Sequence, residues 1–298
     1  MDALGAAELP LVSAGGDGWP WTSPDPELPT LPAGAQWPKI TVVTPSLNQG
    51  QYLEATIRSV LLQGYPNLEY LVIDGGSTDG SIEIIQAYAP HLDYWVSEPD
   101  RGQAHAINKA FARATGDVLC WLNSDDYYLP GTLATVGSLL HDGSGIRAIV
   151  GHSQLVNLDS RPPYLLRGEF ESREQLLRVW QRYGMHQPSV FWRRELTDEI
   201  GLLDESLDLV LDFDYWVRLS ALTPFVEVDQ VLSCCTVHPA AKTADGYVEY
   251  HRHLRRHAKS YWGSPFSPRY WRLTLEMHYA DGLRRLSRFR RPRTIEPM

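Results

Sequence analysis

Residues 39–80 read KITVVTPSLNQGQYLEATIRSVLLQGYPNLEYLVIDGGSTDG, and the rhythm of this stretch decides the fold. Ile40 to Thr44 is a short β-branched run that Pro45 ends, the pattern of a strand. From Tyr52 to Gln63, Leu53, Ile57, Val60 and Leu61 recur at helical spacing, and Gly64 and Pro66 stop the helix. Leu68 to Ile73 is a second apolar strand, closed by Asp74-Gly75-Gly76. The alternation continues outward. Ser81 to Tyr88 reads as a helix, Tyr94-Trp95-Val96 as a strand, and Gly102 to Ala114 as a helix ended by Gly116. Asp117 to Leu122 is a strand that runs directly into Asn123-Ser124-Asp125-Asp126.

Strands that alternate with helices predict a parallel sheet covered on both faces. Ligands of such sheets sit beyond the carboxyl ends of the strands. Thr44-Pro45-Ser46, Asp74-Gly75-Gly76, Glu98-Pro99-Asp100 and Asn123-Ser124-Asp125-Asp126 all fall at those ends, so four polar clusters are expected on one rim. Beyond Leu133 the pattern is more mixed. Ala148 to Val156, Ser189 to Trp192 and Val226 to Val237 read as strands, and Asp212 to Leu222 as a helix. Val248 to Arg291 is helical with a break at Gly263 to Pro268. Residues 1–37 are rich in Pro and Gly and read as an irregular arm, with Trp19, Trp21 and Trp37 as the side chains that could pin it to the body.

The 298 residues, 43% of them apolar, suffice for one large domain with appendages. A net charge of −9 argues against a nucleic-acid binder. The charge is uneven: residues 251–298 hold 12 of the 27 Lys and Arg but only 3 of the 36 Asp and Glu, a surplus of nine positive charges. The remainder holds 15 basic against 33 acidic residues, a deficit of 18. A basic tail on an acidic body suits an anionic surface, with a solvated helix face as the plain alternative. The three cysteines have neither disulfide nor zinc spacing, and a reducing compartment is expected. With no apolar run long enough to span a bilayer and no secretory signal, the sequence reads as cytoplasmic, with a possible peripheral contact at the inner membrane face.

Two adjacent acids after a strand can hold a hard divalent cation, and can equally cap a turn. The surrounding motifs bear on that choice. The pieces Thr44-Pro45-Ser46-Leu47-Asn48, Tyr65-Pro66-Asn67-Leu68-Glu69-Tyr70, Ile73-Asp74-Gly75-Gly76-Ser77-Thr78-Asp79-Gly80, Ser97-Glu98-Pro99-Asp100-Arg101-Gly102-Gln103, Ala106-Ile107-Asn108-Lys109 and Trp121-Leu122-Asn123-Ser124-Asp125-Asp126 closely resemble, in order, the motifs of glycosyltransferase family 2. The resemblance implies an α/β fold of the GT-A type, a Rossmann-like mixed sheet flanked by helices, over residues 38–245. Within it, 38–135 would bind the nucleotide and 136–245 the acceptor, and a basic helical extension would follow over 246–298.

It further implies inverting transfer of a sugar from a nucleoside diphosphate, UDP favoured, to an acceptor hydroxyl, with Mg2+ or Mn2+ as cofactor and a saccharide or lipid-linked acceptor as partner. By the same resemblance Pro45, Ser46 and Asn48 form the first nucleotide loop, Asp74 accepts from the base N–H, and Arg101 meets the diphosphate or sugar. Asp125 binds hydroxyls of the ribose or donor sugar, and Asp126 binds the metal. Leu211-Asp212-Phe213-Asp214 resembles the segment of the catalytic base, which makes Asp212 the expected base, with Asp208 and Asp214 as competitors. His186 and Lys242 would lie near a sugar or phosphate, His238 would be a further metal ligand, and Asp214 could instead pair with Arg218 one turn along.

Three other functions are disfavoured. A dinucleotide-dependent oxidoreductase needs a Gly-x-Gly-x-x-Gly turn after its first strand, and Thr44 to Gly50 has none. A phosphate loop and the Gly-rich basic loop of a nucleotidyltransferase are absent as well. A catalytically degenerate nucleotide-sugar scaffold fits less well, because Asp74, Asp125, Asp126 and Asp212 are all present.

Overall fold

The computed structural model describes residues 5–13, 15–21, 28–157, 163–181, 183–239, 241–242 and 247–290. The chain runs β1 (Ile40–Ser46), α1 (Gly50–Leu61), β2 (Leu68–Asp74), α2 (Ser81–Tyr88), β3 (Tyr94–Ser97), α3 (Gln103–Phe111), β4 (Val118–Trp121) and β5 (Tyr127–Tyr128). It continues with α4 (Thr132–Leu139), β6 (Ala148–Asn157), β7 (Tyr164–Leu166), α5 (Arg173–Leu176), β8 (Val190–Arg193), α6 (Arg194–Ile200) and α7 (Leu211–Leu219). Last come β9 (Val226–Val237), α8 (Tyr247–Ser260) and α9 (Pro268–Arg290). The described strands form one sheet in the order β3-β2-β1-β4-β8-β6-β9-β5, with β7 paired to β6.

The first four strands are parallel, and β8 then enters antiparallel between β4 and β6, so the sheet is mixed as expected. β1, β2 and β4 are buried on both faces, which is why each reads as a continuous apolar run, while β3 at the sheet edge is only half-buried. Ile40, Val42, Tyr70, Val72, Val118 and Cys120 face one core with α1 and α2. Val43, Leu71, Ile73, Leu119 and Trp121 face the other, with α3, α7 and the C-terminal helices. Gly116 sets β4 against β1: a Cβ there would lie 2.4 Å from Thr41 Oγ1, so only glycine allows the approach.

Two parts of the chain are more integrated than their composition suggests. Leu254, Ala258, Trp262, Leu273 and Met277 belong to the same core as Leu211 and Trp216, so the C-terminal helices complete the domain rather than append to it. The boundary expected near residue 245 falls outside the described residues. The N-terminal arm is irregular, and two side chains of α1 hold it. The buried guanidinium of Arg58 donates to the carbonyls of Ala6, Pro10 and Pro20, while Glu54 accepts from the amides of Val12 and Ser13. Trp19 Nε1 donates to Tyr128 O at 2.7 Å, and Trp37 packs edge-on to Tyr65 at 5.4 Å. The tryptophans thus pin the arm as expected, and the ion-bearing face of α1, which amphipathic spacing alone assigns to solvent, is buried beneath it.

Removing the guanidinium leaves several buried carbonyls without donors. Arg58→Met is therefore expected to lower unfolding stability by about 2–4 kcal/mol and to expose residues 5–21 to chymotrypsin. Unchanged urea unfolding and unchanged cleavage would show that the arm is held by other contacts.

Candidate active site

The carboxyl ends of β1, β2, β3 and β4 form one rim, because parallel strands bring all four ends to the same edge. At the end of β4 the chain turns through Asn123 to Asp126. Thr56 of α1 donates its hydroxyl to the carbonyls of Ser124 and Asp126, at 2.9 and 2.7 Å, which fixes this turn from below. Asp126 is buried. Its Oδ1 accepts from the Thr236 amide of β9 at 3.0 Å, and its Oδ2 from Asn123 Nδ2 at 3.4 Å, while Asn123 Oδ1 accepts from Gln103 of α3 at 2.7 Å. Burial, and then the charge of Asp125, push the Asp126 carboxyl well above the usual carboxylate range.

Asp125 points the other way, to His238 just beyond β9: Oδ2 and Nε2 are 3.0 Å apart. His238 is buried, its Nδ1 has no hydrogen-bond partner among the described residues, and its ring lies 4.3 Å from that of Tyr52. Among the described residues, no Lys or Arg forms an ion pair with either acid. Two adjacent carboxylates of which one is desolvated, beside an imidazole with a spare nitrogen, are a hard, oxygen-rich donor set that suits Mg2+ or Mn2+. No described group of three or more acid, His or Cys side chains closes a complete metal cage, so a cation here would need oxygens from its ligand as well.

The other expected residues fall into two groups. Ser46 reaches the rim with a buried hydroxyl that has no partner among the described residues. Asn48 takes φ 52°, a backbone conformation that Asn tolerates. Its amide donates to Ser77 Oγ and its Oδ1 accepts from the Thr78 amide, so it fastens the β1 loop to the β2 loop. Pro45 is part of β1 itself.

Asp74 requires a correction. It is fully buried, and its carboxylate accepts from the Gly76 and Ser77 amides and from the hydroxyls of Ser77 and Ser97. With four protein donors on it and no exposed surface, this carboxylate is turned to the protein rather than to the open rim. It serves instead as the tie between the ends of β2 and β3. The free acid is next to it. Asp100 Oδ1 accepts from the Gly102 amide, and Asp100 Oδ2 has no donor among the described residues and lies 2.7 Å from where a Cβ on Gly75 would stand. Gly75 is thus small because Asp100 occupies its side-chain space, and the sequence marked this acid only as one member of a strand-end cluster.

Three further expectations change. Arg101 is exposed and pairs with Glu205 at 2.6 Å. Lys242 pairs with Asp208, so neither phosphate contact is formed by a free cation, and Asp208 is engaged as a rival base. Thr243, in the same motif, lies outside the described residues. Asp214 is buried under Arg218, His257 and Tyr261, and all three hold its carboxyl below the usual range against the opposing effect of burial. It is the anchor of α8 on α7 rather than an acceptor contact, and the pairing with Arg218 one turn along is formed.

Asp212 opens α7, which is held beneath β4 by the stacking of Trp216 on Trp121, 5.1 Å apart and 13° from parallel. Its Oδ1 accepts from the Phe213 amide at 2.8 Å, its own backbone amide also favours the charged form, and it pairs with no cation among the described residues. Desolvation pushes its carboxyl up to about 6. Tyr183 and Tyr250 sense its charge, and the Tyr183 hydroxyl has no hydrogen-bond partner among the described residues. Asp212 therefore has the properties of a base poised near neutrality. His186 immediately precedes Gln187, whose Nε2 donates to Trp121 O at 2.6 Å, which sets the His186 loop against the end of β4.

The family model for glycosyl transferase family 2 matches residues 41–201, more than half of the chain and all four strands of the rim. The chain belongs to glycosyl transferase family 2. Similar family members include an uncharacterized glycosyltransferase of Mycobacterium tuberculosis, 30% identical over 199 residues that cover 65% of this chain and 74% of the relative. A putative teichuronic acid biosynthesis glycosyltransferase of Bacillus subtilis is 35% identical over 42% of this chain and 50% of its own length. Among solved structures, residues 1–349 of S. aureus TarS in complex with UDP-GlcNAc superpose with a TM-score of 0.62 at 17% identity, over 81% of this chain and 72% of that one. Glucosyl-3-phosphoglycerate synthase of Mycobacterium tuberculosis, with Mn2+ and UDP-glucose, superposes with a TM-score of 0.52 at 21% identity, over 77% and 81%. The fold of this family 2 chain is the mixed α/β sheet of these GT-A enzymes.

The Asp212 carboxyl should titrate near 6 when followed by carboxyl carbon NMR against the Asp212→Asn protein. A midpoint near the ordinary 3.8 would mean that the group is open to water.

Proposed function

We propose that this family 2 chain is an inverting, metal-dependent glycosyltransferase that moves a sugar from a nucleoside diphosphate, UDP first among them, to an acceptor hydroxyl. The observation that carries this reading is the acid pair Asp125-Asp126 at the end of β4, buried on one side and matched by no Lys or Arg among the described residues. Such a pair keeps a proton on one member or gains a cation, and a divalent ion would relieve it without protonation. Asp126, with His238 as a secondary ligand once it leaves Asp125, would hold Mg2+ or Mn2+. The bound ion would neutralise the charge that gathers on the departing diphosphate. The TarS and glucosyl-3-phosphoglycerate synthase structures hold UDP-sugars, the latter with Mn2+, which supports this donor class and cofactor.

In the reaction the acceptor hydroxyl attacks C1 of the sugar from the face opposite the diphosphate. Asp212 takes the hydroxyl proton as the new O–C1 bond forms, and the old C1–O bond breaks with its electron pair going to the nucleoside diphosphate. Asp125 binds hydroxyls of the ribose or sugar, and the free Ser46 hydroxyl faces the nucleotide. Asp100 Oδ2, rather than Asp74, accepts from the base N–H. A carboxylate there accepts from the imide of uracil or thymine and repels the lone pair at N3 of cytosine. The acceptor is a saccharide or lipid-linked sugar of cell-surface polysaccharide or glycolipid synthesis, a class supported by the B. subtilis relative.

Three outcomes test this. Asp126→Asn should leave the metal-free protein at least as stable as the parent, because a buried like-charge contact is gone, yet should weaken Mn2+-dependent UDP binding by about 100-fold in calorimetry. Undiminished binding would remove Asp126 from the metal site. Asp100→Ala should weaken UDP binding about tenfold and leave CDP binding unchanged or slightly tighter; equal losses for both would mean that Asp100 does not read the base. Transfer should fall about tenfold per pH unit below 6, where Asp212 takes up its proton, and Asp212→Asn should lower turnover by a factor on the order of 10²–10⁴ with donor binding kept. Retention of most activity in that variant would refute its role as base.

A further inference from the structure

Helices α8 and α9 lie side by side on the body. On α8, Leu254 and Ala258 face the core. On α9, Leu273 and Met277 do the same. Arg255 of α8 grips Asp281 of α9 through both terminal nitrogens at 2.8 Å, which locks the pair edge to edge. With 3.6 residues per turn, the face opposite each buried stripe must point away from the body.

Those two outer faces are unlike. On α9 the outer positions are Trp271, Leu275 and Tyr279, spaced by four and 57%, 67% and 71% exposed; Phe266, in the turn between the helices, is 92% exposed. On α8 they are Arg252 and Arg256, with Lys259 beside them, and no ion pair is formed by any of the three among the described residues. Arg252, Arg255, Arg256 and Lys259 line a hollow of about 280 Å³ whose floor is Met277, where a phosphate would meet several donors at once. The one acid on α8, Glu249, sits at its start beside His253.

An exposed stripe of Trp, Leu and Tyr beside uncompensated cations is a costly face for a chain surrounded only by water. A second copy of this chain is a poor cover. A two-fold contact through this surface would set like charges against each other with no carboxylate supplied, and the acidic body is the more plausible partner only for isolated cations, not for the apolar stripe. An anionic bilayer satisfies both halves: aromatic and leucine side chains enter the headgroup boundary while Arg and Lys meet the phosphates. The rest of the molecule, with its deficit of 18 charges, is repelled by such a surface, which also fixes the orientation.

We propose that the outer face of the α8–α9 pair is a docking surface for anionic lipid, with Trp271, Leu275 and Tyr279 in the interface and the Arg252, Arg255, Arg256 and Lys259 hollow on a lipid phosphate. This sharpens the expected membrane contact of basic residues 252–293, of which 291–293 lie outside the described residues. It is independent of the donor reading: loss of one leaves the other standing.

The test is co-sedimentation of the full chain with vesicles of phosphatidylcholine alone and with about 30% phosphatidylglycerol, at low and at high salt. Binding is expected only to the anionic vesicles and should fall as salt rises. The triple change Trp271→Ser, Leu275→Ser, Tyr279→Ser and the pair Arg252→Glu, Arg256→Glu should each abolish it, with circular dichroism and UDP binding unchanged. Arg256→Gln alone should weaken partition about fivefold. Absence of binding to anionic vesicles overturns the proposal, as does binding that the triple variant retains. A parent chain that sediments as a dimer, and that the triple variant converts to a monomer without any vesicle binding, overturns it in favour of a second copy.

Discussion

A carboxylate buried beside a second carboxylate, with no Lys or Arg among the described residues against either, is the constraint on which the site turns. Left alone, Asp126 holds its proton more tightly than a carboxylate in water, and the protein bears that cost through the Thr236 amide, the Asn123 amide and the two carbonyls that Thr56 restrains. The strain is concentrated where β4 ends and β9 begins to leave the sheet, so the nucleotide half and the acceptor half of the chain both touch it. On the proposed function, a cation and the diphosphate it carries would complete the electrostatics of such a site. Binding energy can then be drawn from relief of repulsion as well as from new contacts.

The rim around that pair is built by acids and amides that bond to one another. Asp74 joins β2 to β3 through Ser97 and shapes its own turn through Ser77. Asn48 joins the β1 loop to the same turn. Once those groups are spent on rigidity, the free acceptors are Asp100 Oδ2 and the Ser46 hydroxyl. The rim therefore separates side chains that fix geometry from side chains that remain available, and the available ones are the less conspicuous in the sequence.

This division explains what could and could not be read beforehand. The strand ends, the place of Asp125 and Asp126 and the start of α7 follow from local periodicity and turn residues, which act over a few positions and are visible in one dimension. The fate of Asp74 depended on counting its donors, and one of them, Ser97, lies 23 residues away. Arg101, Lys242 and Asp214 looked available because their partners are distant: Glu205 is 104 positions off, Asp208 is 34, and His257 is 43. The arm of residues 1–37 reads as irregular, and its described residues 5–13, 15–21 and 28–37 form no helix or strand. Only the buried Arg58 and Glu54 reveal that it belongs to the body, since a charged face on an amphipathic helix ordinarily predicts solvent.

The Asp214 cluster also connects parts of the molecule that composition would separate. Asp214 follows Asp212 by two residues on the same short helix, and it is held from α8 by His257 and by Tyr261 just past its end. α8 in turn grips α9 through Arg255 and Asp281, and α9 is tied to α5 by the ion pairs of Glu174 and Glu276 with Arg269, Arg272 and Arg178. The helix that carries the proposed base is therefore braced directly by the helices whose outer faces are basic and apolar. Asp214 is buried and multiply bonded, and the ion pairs beyond it are half-exposed, so α7 is coupled to the α8–α9 pair chiefly through Asp214 and the shared core. Whatever surface orients the C-terminal helices therefore orients Asp212 with them, and a tail that composition marks as an appendage is mechanically part of the acceptor side of the site.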